Sequence, residues 1–195
     1  MLNPTKWRQR APNDKDEPEE GQANPPTRSG HMDIYPLGQW TAFFGAEVGA
    51  SAALAGFVIV AMSINVSRIL SHPVLPGRAA ETLVAPTGVL IASTYALVPL
   101  QQALGLGIEI LCIGVAMWLM PAIIQWRTAR TADYPRRAIL TRIVLTQASS
   151  LPVIASGALI LARDPDALYW LVPGITFSLI TTVINAWVLL VEILR

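Results

Sequence analysis

The run from Trp40 to Val66, WTAFFGAEVGASAALAGFVIVAMSINV, constrains this chain more than any other stretch. As an α-helix rising 1.5 Å per residue it is about 40 Å long, enough to cross a hydrocarbon layer about 30 Å thick with some tilt. Gly45, Gly49, Ala52 and Gly56 recur at helical spacing and form one smooth stripe that another helix can approach closely. Glu47, Ser51 and Asn65 share a different azimuth, because the 18 residues from 47 to 65 close five turns. A helix with a small-residue face and a polar face is expected to touch protein on both, which makes this segment the expected central helix of a bundle.

Composition agrees with a membrane solvent. Of the 195 residues, 53% are hydrophobic and only 14% charged, against about 25% charged in an ordinary soluble domain. The apolar run from Leu83 to Ile124 is too long for one span and right for two. Pro99, Gln101, Gln102 and Gly105 supply the break between them. The sequence therefore predicts an all-α polytopic bundle of about five transmembrane helices, spanning about 40–66, 82–100, 104–125, 138–161 and 168–194 within a domain of residues 34–195. Pro73, Pro76 and Gly77 are expected to stop the first helix and reverse the chain. Pro86 and Pro121 are read as lying near span ends, whereas Gly88, Gly107 and Gly114 suit close helix packing. Residues 1–33, rich in proline and charge, have too little apolar surface to offset the entropy of ordering and are expected to form a disordered tail.

Arginines near the spans set the expected orientation. Arg68, Arg78, Arg127, Arg130, Arg136, Arg137, Arg142 and Arg195 fall on one side of a five-span chain, against Arg28 and Arg163 on the other. That bias puts the N-terminus outside and the C-terminus in the cytoplasm. Tyr35, Trp40, Tyr169 and Trp170 then form the outer aromatic belt, with Trp126 at the inner interface. Lipid headgroups are one reading of the Arg127–Arg137 cluster; nucleic acid is not an expected partner.

Little in the chain carries chemistry. No nucleotide loop, metal-ligand spacing or nucleophile elbow is present, both histidines (His31 and His72) lie outside the spans, and the lone Cys112 sits in an apolar run as a packing residue. No catalytic, cofactor-binding or metal-binding residue is expected, and no cofactor. The unusual groups are intramembrane carboxyls. Glu47 and Glu109 are expected at a similar depth, about 10 Å in from the outer ends of spans one and three, with Tyr95 and Gln101 or Gln102 close to that layer. A carboxyl in hydrocarbon must be neutral, paired or in a wet cavity. Deeper, Asn65, Gln147 and Asn185 are candidates for hydrogen bonds across helices. Arg78 and Glu81, three residues apart, are read as a modest surface pair.

Two functional classes are open on these residues. One is a non-enzymatic membrane protein acting by helix–helix association, with itself as a homo-oligomer or with another membrane protein. The other is a small proton- or cation-linked channel or transporter using Glu47, Glu109 and Tyr95. Residues 63–84, SINVSRILSHPVLPGRAAETLV, followed by PTGVL at 86–90 and LVPLQQ at 97–102, resemble a family of small bacterial membrane proteins labelled "modulator of FtsH protease". The resemblance implies a partner that is a membrane-anchored, ATP-dependent protease, and it supplies no catalytic residue.

Overall fold

The structure, a computed structural model, describes residues 37–71, 75–131 and 136–191. The N-terminal tail, Tyr35, His72, Pro73, Glu192 and Arg195 lie outside the described residues. Among the described residues six α-helices follow one another, α1 (Leu37–Ile64), α2 (Val66–Ser71), α3 (Leu75–Ala96), α4 (Ala103–Thr131), α5 (Arg136–Leu161) and α6 (Leu171–Val191), with a 3-10 turn at Ala167–Trp170 leading into the last. No strand occurs among the described residues. The chain is an all-α bundle with five long helices and the short α2 at one end.

Four helical segments are long and apolar enough to cross a membrane by themselves: Gly38–Ile64, Ala103–Arg130, Ile139–Leu161 and Ala167–Val188. The fifth long helix, α3, has 22 residues, carries Arg78 and Glu81 in its first two turns and buries Thr82 and Ser93. It tolerates these polar groups because protein surrounds it. Packing runs α1 on α3, α3 on α4, α4 on α5, α5 on α6 and α6 back on α1, with α3 and α6 also touching across the ring. The central helices are therefore α3 and α6. That corrects the expected centrality of α1, of whose apolar window 17% is buried against 44% for α6. An apolar helix needs no protein cover in lipid, whereas a helix carrying polar groups does.

Several boundaries differ from those expected. Helix α3 starts at Leu75, so Pro76 and Gly77 are inside its first turn rather than in a reversing loop. Proline is tolerated there because the first amides of a helix have no intrahelical acceptor. At the other end α3 stops at Ala96, and the turn to α4 passes through Leu100 at a φ of 57°. Helix α4 runs on to Thr131, through the arginines expected to form a loop. Pro86 and Pro121 lie well inside α3 and α4 rather than near their ends. Cys112 faces outwards from α4 instead of packing inside.

Helix α5 ends in a Schellman motif. The Arg163 amide donates to the Ile160 carbonyl and the Asp164 amide to the Leu159 carbonyl, each at 3.0 Å. The residue that must turn left-handed is Arg163, at a φ of 61°. Asp164 Oδ1 then accepts from the Asp166 amide at 2.9 Å, and this turn feeds Ala167–Trp170.

The tightest interface joins α4 and α5. A Cβ added at Gly114 would lie 2.9 Å from the Ile154 amide nitrogen, and one at Gly157 would lie 2.5 Å from that of Leu111. Gly107 likewise opposes Leu161, its added Cβ 2.8 Å from a methyl group. The pairs 107–161, 111–157 and 114–154 share one register, each step forward on α4 matched by an equal step back on α5. Glycine at these positions lets two antiparallel backbones meet.

Candidate functional site

The two ends of the bundle have different interiors. At the end formed by the start of α1, the α3–α4 turn and the 3-10 turn, the core is apolar: Phe44, Ala96, Leu106, Ile160, Leu168 and Leu171 pack together. Aromatic rings close this end, with Trp40 meeting Phe43 and Tyr169 edge to face at centroid separations of 5.6 and 5.0 Å. The opposite end, where α3 and α5 begin and α4 finishes, holds the arginines. Arg130 there lies over the Trp126 ring, 3.6 Å from its centroid.

Towards the arginine end the interior is polar. Glu81 on α3 forms an ion pair with Arg142 on α5, their side chains 9% and 12% exposed. Gln125 on α4 donates to the second Glu81 oxygen and, at 3.1 Å, to Thr146 Oγ1 on α5. One carboxylate thus ties three helices, and both its oxygens have a donor. Glu81 belongs inside the bundle and not to a surface pair. Sequence spacing missed the network because its members are 44 and 61 residues apart. The signal available was an acid, Glu81, about two turns into α3 and an arginine, Arg142, about two turns into α5, each inside a largely apolar segment at the same end of the bundle.

Beside this network is a cavity of about 20 Å³ bounded by α3, α4, α5 and α6. Glu81, Thr82, Thr146, Ser149, Thr181 and Asn185, all with oxygen-bearing side chains, line it together with Ala85, Met117 and Pro121. Counting residues from the apolar end of each helix at 1.5 Å per residue, Thr82, Met117, Ser149 and Asn185 all fall about 20 Å in. They form one layer. Ser149 and Thr181 hydroxyls are 3.3 Å apart across α5 and α6. Asn185, expected to hydrogen-bond across helices, reaches the cavity; Asn65 instead donates to the Ala61 carbonyl of its own helix at 3.2 Å.

The carboxyls singled out from sequence do not share a site. Helix α1 packs on α3 and α6, while α4 packs on α3 and α5, so α3 stands between Glu47 and Glu109. A similar depth in the bundle therefore does not bring the two carboxyls together. Glu109 accepts a hydrogen bond from Gln101 across the α3–α4 turn, a partner the expected layer did contain. Glu47 is half-buried and its Oε2 has no hydrogen-bond partner among the described residues, nor has Ser93 Oγ on α3. Tyr95 is 39% exposed on the outer surface of α3.

The small-residue stripe of α1 behaves unlike most glycines of α3 to α6, although Gly105 in the first turn of α4 is open as well. Gly88, Gly107, Gly114, Gly157 and Gly174 each oppose a neighbouring helix, whereas a Cβ at Gly45, Gly49 or Gly56 would meet nothing within 4 Å. Ala52 on the same stripe is exposed too. Within one chain the stripe contacts no helix, contrary to the expectation that α1 touches protein on both faces. Ser51 and Asn65, on its other side, are buried.

Among the described residues no group of three or more His, Cys, Asp or Glu side chains is placed to hold a metal ion. No family model, curated protein or solved structure matches the chain.

Proposed function

We propose that this multi-pass membrane protein is non-enzymatic and works by lateral association in the bilayer, using the outward stripe of α1 to bind a second copy or another membrane protein. The observation that carries this reading is the contrast among the glycines. Gly88, Gly107, Gly114, Gly157 and Gly174 of α3 to α6 are filled by neighbours, Gly105 in the first turn of α4 is open, and Gly45, Gly49 and Gly56 of α1 are left open together along one face of a helix that lipid alone would cover equally well with larger side chains. Close backbone approach needs small residues, and solvation by lipid does not. A membrane-anchored protease is the partner class that the resemblance of residues 63–102 adds to this reading. The arginine bias supports an N-terminus outside and an arginine end in the cytoplasm, and the resemblance of residues 63–102 supports a bacterial plasma (inner) membrane.

Gly49→Leu and Gly56→Leu separate association from folding. Because nothing among the described residues opposes either position, both variants keep or slightly raise the melting temperature of the parent in detergent and lose the oligomer or co-purifying partner. Variants that associate as the parent does would refute the reading. The channel or transporter reading has less support, since Glu47 and Glu109 are separated by α3.

A further inference from the structure

We propose that the cavity between α3, α4, α5 and α6 is a binding site for a single alkali cation. The argument rests on what its wall offers. Thr82 Oγ1 donates its proton to the Arg78 carbonyl at 2.9 Å, and Ser149 Oγ donates to the Leu145 carbonyl at 2.9 Å. With the Ser149 proton so engaged, the 3.3 Å contact between the two hydroxyls leaves Thr181 as its donor. Thr146 Oγ1 accepts from Gln125. The hydroxyl protons of Thr82, Ser149 and Thr181 are therefore spent within the protein, so that these lining side chains are left as acceptors.

Backbone adds to the same excess of acceptors. Pro121 has no amide hydrogen, so the carbonyl four residues earlier, that of Met117, loses its helical donor. Met117 and Pro121 both line this cavity. Pro86 releases the carbonyl of Thr82, another wall residue, in the same way. In hydrocarbon such carbonyls need a partner, and unwound or proline-broken helices meet ions with them. Asn185 adds an amide oxygen with no hydrogen-bond partner among the described residues.

Size and charge select the ion. About 20 Å³ is room for one water-sized occupant. Glu81 contributes a negative charge that Arg142 already balances, so a divalent ion would bring two uncompensated charges into a poorly solvated place and a monovalent one brings a single charge to an oxygen shell. Hard oxygen donors with no thiolate or imidazole suit alkali ions and not transition metals.

The test uses full-length protein in detergent, with sodium chloride replacing choline chloride at constant ionic strength so that screening is fixed. Sodium is expected to raise the melting temperature saturably, by about 2–4 °C at five times the half-saturating concentration. Thr181→Val, which keeps volume and leaves the Glu81, Arg142 and Gln125 network whole, is expected to raise the half-saturating concentration at least tenfold. If Thr181→Val does not fold, radioactive sodium retained by the parent reports directly, with about one displaceable ion expected per chain. Coincident melting curves in sodium and choline, or retention no higher than for empty micelles, would mean that a water alone occupies the cavity and would overturn the proposal.

Discussion

Breaking the Glu81–Arg142 pair gives the largest effect the interior predicts. Arg142→Met removes the cation and leaves a short carboxylate that is 9% exposed, held only by Gln125. Removing one partner of a buried ion pair costs about 3–5 kcal/mol, because the other charge stays desolvated. Glu81→Gln is expected to cost less, about 1–3 kcal/mol, since the long Arg142 stem sits near the start of α5 and its head can swing to water at the arginine end. The double variant Glu81→Gln with Arg142→Met removes both charges and recovers a large part of the loss, giving a coupling energy of at least about 2 kcal/mol. Reversible unfolding in mixed micelles by a denaturing detergent measures all four proteins. Two single variants each within about 0.5 kcal/mol of the parent and additive in the double would refute the claim that this pair is a buried tie between helices.

Glycines give predictions of opposite sign in the same assay. Gly157→Ala places a methyl 2.5 Å from the Leu111 backbone nitrogen, which has no soft side chain to yield, and is expected to lose about 1–3 kcal/mol; Gly49→Ala meets open space and is expected to gain up to about 1 kcal/mol from helix propensity. Arg163→Gly relieves a left-handed non-glycine residue in the Schellman turn, and a stability increase of about 0.5–1 kcal/mol is expected, with no change or a loss arguing against strain at that position. In a Cys112→Ser background, a cysteine in the N-terminal tail is expected to react with an impermeant thiol reagent on intact cells and one beside Arg130 is not; the reverse pattern would invert the orientation.

The helical architecture was legible because its cause is one-dimensional. Long apolar runs broken by Pro99 and Gly105, or by arginines, locate spans without knowledge of their neighbours. Boundaries shifted where proline has two meanings, as at Pro76, which reads as a breaker in sequence and works as a first-turn residue in α3. Neighbour relations were not legible. Gly45, Gly49 and Gly56 have the same spacing signature as glycines that pack, yet only three-dimensional placement separates them from Gly114 and Gly157. The polar site was hidden for the same reason: Glu81, Gln125 and Arg142 each lie near a span end, where a charge is unremarkable, and become unusual only when α3, α4 and α5 converge.

Photo-crosslinking along α1 in native membranes tests lateral association through the stripe most directly. A photoreactive residue is placed in turn at Gly45, Gly49, Ala52 and Gly56, and at Phe57, which is 52% exposed but about 100° round the helix from its neighbour Gly56. The expected result is a protein adduct of defined mass, either a dimer or a heavier heteromer, from the stripe positions and none from Phe57. Absence of protein adducts at all five positions, or equal adducts at Phe57 and the stripe, would contradict association through this face of α1.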